Sequence, residues 1–229
     1  MKNRVLKQPF KGQPKTVLSY DRKDNPRFDV TIRELTPFRA KAADTAAALI
    51  CWGGFAYMAY EAATLPGTDW QVWIAAFALP VISWPVVKWL ARRQFSKATK
   101  LRFTADEFQK PGLLRAKAYD RQLPHSFLLL PHDKREDEQE KLQFEAAKAR
   151  ARGKWYKPER YYGKSFHLVF EYLGERHDIA AIHGEREAKR ALDRLTSIDN
   201  VIDPLTATGP GTAIRPDDEW NPQAGDLLE

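Results

Sequence analysis

The sequence has little cysteine and little methionine, and it lacks the short motifs by which most catalytic sites are recognised. Its 229 residues include one cysteine, Cys51, and two methionines. A single cysteine excludes an internal disulfide framework and a cysteine-rich zinc cluster. The five histidines show no spacing typical of a helical metal site, and no serine lies in a Gly-x-Ser-x-Gly turn. The sequence therefore predicts no catalytic residue, no metal site and no cofactor, and we expect a protein that is not an enzyme.

Charge is almost absent from one part of the chain. Residues 42–91 carry one lysine and three acidic residues, a net charge of −2. The flanking residues 1–41 and 92–202 each carry a net charge of +7. A weakly charged block between two basic flanks is typical of a membrane segment with cytoplasmic ends.

Two uncharged stretches lie in this block. Thr45–Tyr60 has 16 residues and Trp70–Val87 has 18, close to the roughly 20 apolar residues that a membrane-spanning helix needs. The residues between them, 65–69, contain a proline and a glycine and predict a tight turn. We therefore expect a two-span transmembrane helical hairpin over residues 38–93. The alternative is a helical hairpin in the core of a soluble protein.

The basic residues predict the orientation of this hairpin. They flank both spans, and the connecting turn has none. The positive-inside rule then places both termini in the cytoplasm, in a multi-pass protein of the bacterial inner membrane. Amphipathic residues expected at the membrane interfaces are Trp70, Trp73, Trp84, Trp89, Arg92 and Arg93.

Two acidic residues lie near the ends of the first span. Asp44 and Glu61 can each reach an interface, but ionisable residues within a membrane are also typical of ion pathways. A subunit of a membrane enzyme or a transporter that uses Asp44 and Glu61 is therefore an alternative.

Residues 96–202 have the pattern of a cytoplasmic α+β domain. Apolar residues alternate over 166–172, a turn is expected at Gly174, and a second strand is expected over 176–182. A continuous apolar run over 126–130 predicts a buried strand. An amphipathic helix is expected to begin at Gly184 and to end before Pro204. These patterns predict a small antiparallel sheet that is closed by a C-terminal helix.

A charged helix is expected as an insertion in this domain, over residues 133–152. Asp133 is suited to cap its start and Gly153 to end it. Its apolar stripe is thin, so a solvated helix competes with a partner-binding or self-associating one. The flanking segments are expected to be an irregular basic N-terminal segment, 1–37, and a disordered acidic tail, 203–229.

The order of these elements over residues 42–202 resembles that of bacterial membrane proteins with a two-helix anchor and a pleckstrin-homology-like domain. Two spans come first, then a strand-rich unit that begins near Leu101-Arg-Phe-Thr, then a hairpin over Ser165–His183 and one helix. The resemblance implies a bent sheet closed by a C-terminal helix, and binding or scaffolding instead of catalysis. The insertion at 133–164 departs from the family pattern, and no functional residue is carried over.

One segment combines basic and aromatic residues. Residues 148–164 contain seven lysines and arginines, one glutamate, one tryptophan and three tyrosines. Such a segment can bind anionic lipid headgroups or nucleic acid, or it can be a loop whose aromatic residues close the core. The residues predicted to bind lipid or another polyanion are Lys148, Arg150, Arg152, Lys154, Trp155, Lys157, Arg160 and Lys164.

Together these patterns predict a membrane-anchored, non-enzymatic scaffold or accessory protein of a bacterial inner-membrane assembly, such as a secretion or conjugation apparatus. Its expected partners are membrane lipid and other proteins of that assembly, and it can also form a homo-oligomer. The alternative is a membrane-tethered nucleic-acid-binding protein that uses residues 148–164.

Overall fold

The fold is α+β, with antiparallel sheets and four helices in the part of the chain that the structure describes. The computed structural model describes residues 10, 12–20, 25–64, 70–112, 116–156 and 158–208. The chain divides into two compact units. Leu35–Lys97 forms a helical unit, and the residues before and after it form the other unit, the sheet domain.

Twelve elements follow one another within the described residues. They are β1 (Lys15–Tyr20), β2 (Pro26–Glu34), α1 (Pro37–Thr64), α2 (Trp70–Phe95), β3 (Lys97–Phe103), β4 (Glu107–Lys110), β5 (Lys117–Asp120), β6 (His125–Pro131), α3 (Arg135–Ala151), β7 (Ser165–Tyr172), β8 (Glu175–His183) and α4 (Glu185–Thr208).

The first sheet begins with strands that the sequence analysis did not predict. Its order is β1-β2-β3-β4-β5, so the helical unit is inserted between two neighbouring strands, β2 and β3. In β2, Phe28, Val30 and Ile32 are buried and alternate with more exposed residues, as a strand with one face in the core requires. The prediction of an irregular segment over 1–37 is therefore wrong for β1 and β2. The sheet domain is accordingly discontinuous and does not begin at residue 96.

The second sheet confirms the strands predicted near its hairpin. Its order is β6-β7-β8, and all its strands are antiparallel. Glu171 pairs with Arg176 across β7 and β8, as expected for opposite charges. The hairpin turn is Leu173-Gly174, and both residues have positive φ, 52° and 83°. Such a two-residue turn matches the twist of the flanking strands.

The two sheets and α4 share one hydrophobic core. Aromatic rings join the sheets, with centroids of Phe108 and Phe170 at 4.6 Å and of Phe103 and Phe127 at 5.9 Å. From α4, Leu195 and Ile198 are fully buried in the same cluster. The core therefore includes residues from both sides of the inserted helical unit.

A buried arginine joins the corner between the sheets to α4. Arg121 follows β5, and its Nε lies 2.9 Å from Asp199 Oδ1 of α4. Its Nη1 donates to the carbonyl oxygens of Thr104 and Ala105 at 3.1 and 2.8 Å, in the turn between β3 and β4. His125, the first residue of β6, also contacts the Asp199 carboxylate, at 3.1 Å. This cluster fixes the point at which the chain leaves the first sheet.

The helices of the sheet domain differ from the prediction at their ends. The α3 helix confirms the expected insertion, and Gly153 follows it with φ of +64°. Its N-cap residue is Lys134 and no side chain caps it, so the predicted cap at Asp133 is wrong. The α4 helix passes Pro204 and ends at Thr208. The predicted tail therefore begins inside a helix, and residues 209–229 lie outside the described part.

The helical unit is held together by small residues and by a charge cluster. Ala40, Ala43, Ala47 and Cys51 are buried along one face of α1, which permits close helix packing. Gly53 and its neighbour Gly54 are exposed, and an added Cβ would meet nothing there. The close packing of the two helices therefore does not involve these glycines.

The charge cluster of the helical unit joins α1 to α2. The side chain of Asp44 is 6% exposed, and its two oxygens accept from Arg92 Nε and Nη2 at 2.8 and 2.7 Å. Lys88 Nζ lies 3.2 Å from the same carboxylate. A carboxylate held by two cations of the facing helix fixes the register of the two helices.

One helix of the described part is long and apolar enough, by length and composition, to cross a membrane. This stretch runs over Trp73–Phe95 in α2. The α1 helix has 28 residues but does not reach that level of mean hydropathy. Many large apolar side chains of both helices are exposed within their unit, among them Leu49, Ile50, Trp52, Val81 and Ile82.

We predict that the N-terminal strands contribute to the stability of the sheet domain. Phe28 is fully buried, so Phe28→Ala should lower the free energy of unfolding by about 3–5 kcal/mol. Urea unfolding of the detergent-solubilised full chain, followed by pulse proteolysis, measures this loss. Arg33→Ala, an exposed position of the same strand, is the matched control and should change stability by less than about 0.5 kcal/mol. Equal stabilities of the two variants would contradict the fold of β2.

Candidate functional site

The basic segment 148–164 combines the end of α3 with a loop that returns towards β7. Its described basic side chains are all exposed, and Lys157 lies outside the described residues. We call residues 153–164 the basic loop. The six described cations of the predicted set therefore lie on the surface of the sheet domain.

A glutamate of α3 organises the basic loop. One carboxylate oxygen of Glu138 accepts from the backbone N–H of Tyr161 at 2.8 Å, and the other accepts from that of Gly163 at 2.7 Å. At the start of the loop, the N–H of Lys154 donates to the carbonyl oxygen of Ala149 at 2.9 Å. Hydrogen bonds to a charged acceptor are among the stronger ones in proteins. The loop is thereby held against α3 at both of its ends.

The aromatic residues of the segment divide into two pairs. Trp155 is 87% exposed and Tyr156 is 38% exposed, while Tyr161 and Tyr162 are half-buried. The hydroxyl of Tyr156 donates to Glu145 Oε2 at 3.0 Å, along the side of α3. The interpretation that the aromatic residues close the core therefore does not describe Trp155, whose indole is exposed to solvent.

The half-buried aromatic residues join the loop to the second sheet. The ring of Tyr162 lies 4.9 Å from that of His132, which in turn lies 4.8 Å from that of His167. Burial lowers the pKa of His132, and the neighbouring His167 lowers it further, against smaller opposite effects of nearby acidic residues. The backbone N–H of Lys134 donates to Nδ1 of His132 at 3.2 Å. At neutral pH, His132 is therefore a neutral packing residue and adds no charge to the loop.

A serine and a histidine meet where the loop joins β7. Ser165 Oγ donates to the carbonyl oxygen of Tyr161 at 2.8 Å, and it lies 3.0 Å from Nδ1 of His183. Because the hydroxyl proton is already donated to the carbonyl, Nδ1 of His183 is the donor in the second contact. Ser165 is 1% exposed, and this pair serves to fix the end of the basic loop.

The residues predicted at the membrane interfaces lie towards the two ends of α2. Trp70 and Trp73 are exposed near its start. Near its end, the Arg93 guanidinium lies 5.4 Å from the ring of Trp89, and Lys88 Nζ lies 5.8 Å from that of Trp84. Arg92 is engaged with Asp44. Trp84 and Trp89 thus each lie close to a cation, whereas no such contact is described for Trp70 and Trp73 at the start of α2.

The sequence analysis missed a second basic surface, on the outer face of the first sheet. A depression of about 510 Å³ is lined by four cations, Lys15, Arg27, Lys100 and Arg102, together with Asp29. Asp29 lies 2.9 Å from Arg27 Nη2 and 3.2 Å from Arg102 Nε. The alternation of basic residues along the strands is a signal that could have revealed this surface. Asp29 neutralises part of the positive charge of this surface.

Comparisons do not assign the chain to a known group of proteins. No protein-family model matches it, and searches of curated proteins and of solved structures found no match. Within the described residues, no group of three or more histidine, cysteine or acidic side chains is placed to hold a metal ion. The function is therefore inferred from the positions and the exposure of this chain's own residues.

We predict that Glu138 is required for the order of the basic loop. In Glu138→Ala the amides of Tyr161 and Gly163 lose a charged acceptor, and their hydrogen exchange should become about tenfold to a hundredfold faster. Exchange of the full chain, resolved by NMR or by fragmentation mass spectrometry, measures this change. Asp137→Ala, at the exposed neighbouring position, should leave these amides unchanged. Equal exchange in both variants would contradict the proposed role of Glu138.

Proposed function

We propose that the protein is a membrane-anchored, non-enzymatic binding protein whose sheet domain contacts anionic lipid through the basic loop. In this proposal it is a scaffold or accessory protein of a bacterial inner-membrane assembly, with both termini in the cytoplasm. The sheet domain has a pleckstrin-homology-like arrangement, for which the two antiparallel sheets, the shared core and the C-terminal helix are the supporting observations.

The observation that carries the lipid contact is the exposure of Trp155. A tryptophan that is 87% exposed leaves a large apolar surface in water unless another surface covers it. Lys154, Arg160 and Lys164 of the same loop are exposed cations, and the loop that carries them is held by Glu138. Tryptophan inserts readily at headgroup level, and basic residues near an anionic surface each contribute about 1 kcal/mol to binding.

The position of the helical unit in the chain supports a two-span anchor. β2 and β3 are neighbours in one sheet and must lie on the same side of any membrane. If α2 crosses a bilayer, the chain must cross it a second time between these strands, and α1 is the only other helix that the structure describes there. In this proposal the anchor tethers the sheet domain to the membrane by a short connection, because β3 begins two residues after the end of α2.

We predict that anionic lipid protects the basic loop. In nanodiscs with anionic headgroups, Lys154 and Lys164 of the full chain should react at least about fivefold more slowly with an amine-specific reagent than in neutral nanodiscs, because the loop lies against the headgroups. Mass spectrometry quantifies the modification. At 1 M salt, where the screening length is about 3 Å, the protection should disappear.

Lys117 is the internal control, since it is exposed on β5, outside the loop. Its reactivity should be the same in both kinds of nanodisc. Arg160→Gln should weaken the protection of Lys154 and Lys164. Equal reactivity of these two lysines in neutral and anionic nanodiscs would overturn the lipid proposal. Protection by added RNA or DNA in neutral nanodiscs would instead favour a nucleic-acid-binding protein.

We also predict that the turn at residues 65–69, which lies outside the described residues, is exposed on the outer side of the membrane. In a Cys51→Ala background, the Thr68→Cys variant should react with a membrane-impermeant maleimide in intact cells. Ala118→Cys, at an exposed position of β5, should react only after permeabilisation. If Thr68→Cys also requires permeabilisation, the helices do not form a two-span anchor.

A further inference from the structure

One row of residues along α3 and its C-cap residue is acidic before its midpoint and basic after it. Residues four positions apart lie on one face of a helix. All members of this row are exposed, and Phe144 at the centre is 71% exposed. We call this row the α3 ridge; in chain order it consists of Glu136, Glu140, Phe144, Lys148 and Arg152.

The ridge lies on the side of α3 that faces away from the sheet domain. None of the residues of α3 is buried, and the half-buried ones lie on the opposite side of the helix from Phe144. Glu138, which holds the basic loop, belongs to that inner side. The half-buried residues of α3 are Glu138, Leu142, Ala146 and Ala149.

Within one chain this arrangement of charge is unfavourable. Glu136 and Glu140 are like charges at i and i+4, as are Lys148 and Arg152, and such pairs destabilise a helix. The helix dipole favours acids in the first turn and bases in the last turn, which accounts for Glu136 and for the C-terminal cations. It does not account for Glu140 in the second turn or for an exposed phenylalanine at the midpoint.

We propose that the α3 ridge binds the α3 ridge of a second copy of this chain, antiparallel and about a two-fold axis at Phe144. In this arrangement Glu140 of each copy meets Lys148 of the other, and Glu136 meets Arg152. The two Phe144 rings cover each other at the axis. A two-fold interface makes every contact twice, so four pairs of opposite charge form between the copies and offset the repulsion of the four like-charge pairs within them.

The dimensions of the helix suit this contact. The ridge spans about 24 Å at 1.5 Å per residue. Two rows of residues four apart pack at a crossing angle of about −50°, so the contacts of Glu140 with Lys148 beside the axis are closer than those of Glu136 with Arg152 at the ends. Ala147 and Ala151 lie beside Phe144 and are exposed, and their small side chains permit the close approach. A single helix pair is a small interface, and confinement of the anchored chain to a membrane would raise its effective concentration.

This inference does not depend on the lipid contact. Lys148 and Arg152 belong to both the predicted lipid-binding set and the α3 ridge. In the paired state they face acidic residues, and the lipid contact then falls to the basic loop. The pairing is therefore measured in an uncharged detergent without lipid, where the proposed lipid contact has no part.

Disulfide trapping of the full chain tests the two-fold axis. In a Cys51→Ala background, Phe144→Cys places one thiol per chain at the axis, where the two Cβ atoms come close enough for a disulfide. Copper-catalysed oxidation should convert most of the chain to a covalent dimer. Gln143→Cys, an exposed position about 100° around the helix, is the matched control and should cross-link at least about tenfold more slowly.

Charge reversal tests the antiparallel pairing. Glu140→Lys or Lys148→Glu alone creates two like-charge contacts per dimer, so each should weaken association by about tenfold or more. The double variant Glu140→Lys/Lys148→Glu should recover the association of the original chain. An equal mixture of the two single variants should also recover it as a heterodimer, because every contact between those two chains joins opposite charges. Analytical ultracentrifugation in detergent measures each association.

The proposal is overturned if Phe144→Cys cross-links no faster than Gln143→Cys. It is also overturned if the double variant and the mixture remain as weak as the single variants, since the charges would then not meet across a two-fold axis. Both results are independent of whether Lys154 and Lys164 are protected by anionic lipid.

Discussion

The pairing of β2 with β3 is the constraint on which the rest of the structure depends. The two strands are neighbours in one sheet, yet the whole helical unit separates them in sequence. Side chains support their contact, since Thr99 donates to Glu34 Oε2 at 3.1 Å and Arg102 lies 3.2 Å from Asp29. The helices must therefore leave and re-enter the domain on one side of any bilayer. An even number of crossings satisfies this condition, and a single crossing by α2 does not.

A second consequence concerns how the sheet domain is completed. β1 and β2 form a two-stranded hairpin, which on its own would be marginally stable. They gain stability from β3 and from α4, whose Arg194 donates to the carbonyl oxygen of Pro14 at 3.0 Å. Arg121 and Asp199 then join the corner between the sheets to the same helix. The α4 helix thus contacts both β1 and the corner of the sheets, so the core can close only after the helical unit and the eight strands that the structure describes have been made.

Sequence reasoning succeeded where the interacting residues are close along the chain. The β7–β8 hairpin and α3 follow from local alternation and from Gly174 and Gly153. The residues of β2 alternate as clearly, but its partner β3 lies beyond the helical unit, so the pattern of residues 1–37 alone does not show which strand β2 pairs with. Composition alone predicts the basic segment as a candidate site. The exposure of Trp155 depends on the conformation of the basic loop, which no short-range pattern specifies. That conformation is held by Glu138, which is more than twenty residues away from its hydrogen-bond partners Tyr161 and Gly163.

Two sides of the helix α3 make different contacts in the proposed arrangement. Its inner side presents the Glu138 carboxylate to the backbone of the basic loop, and its outer side presents the α3 ridge. A loop held by backbone hydrogen bonds keeps its shape when the ridge is covered, because none of the ridge residues takes part in those bonds. Pairing of the ridges would also place Lys148 and Arg152 against acidic residues of the second copy, whereas Lys154, Arg160 and Lys164 would stay exposed. Covering the outer side of α3 therefore leaves the exposed indole of Trp155 and its neighbouring cations as the surface on which a membrane contact can form.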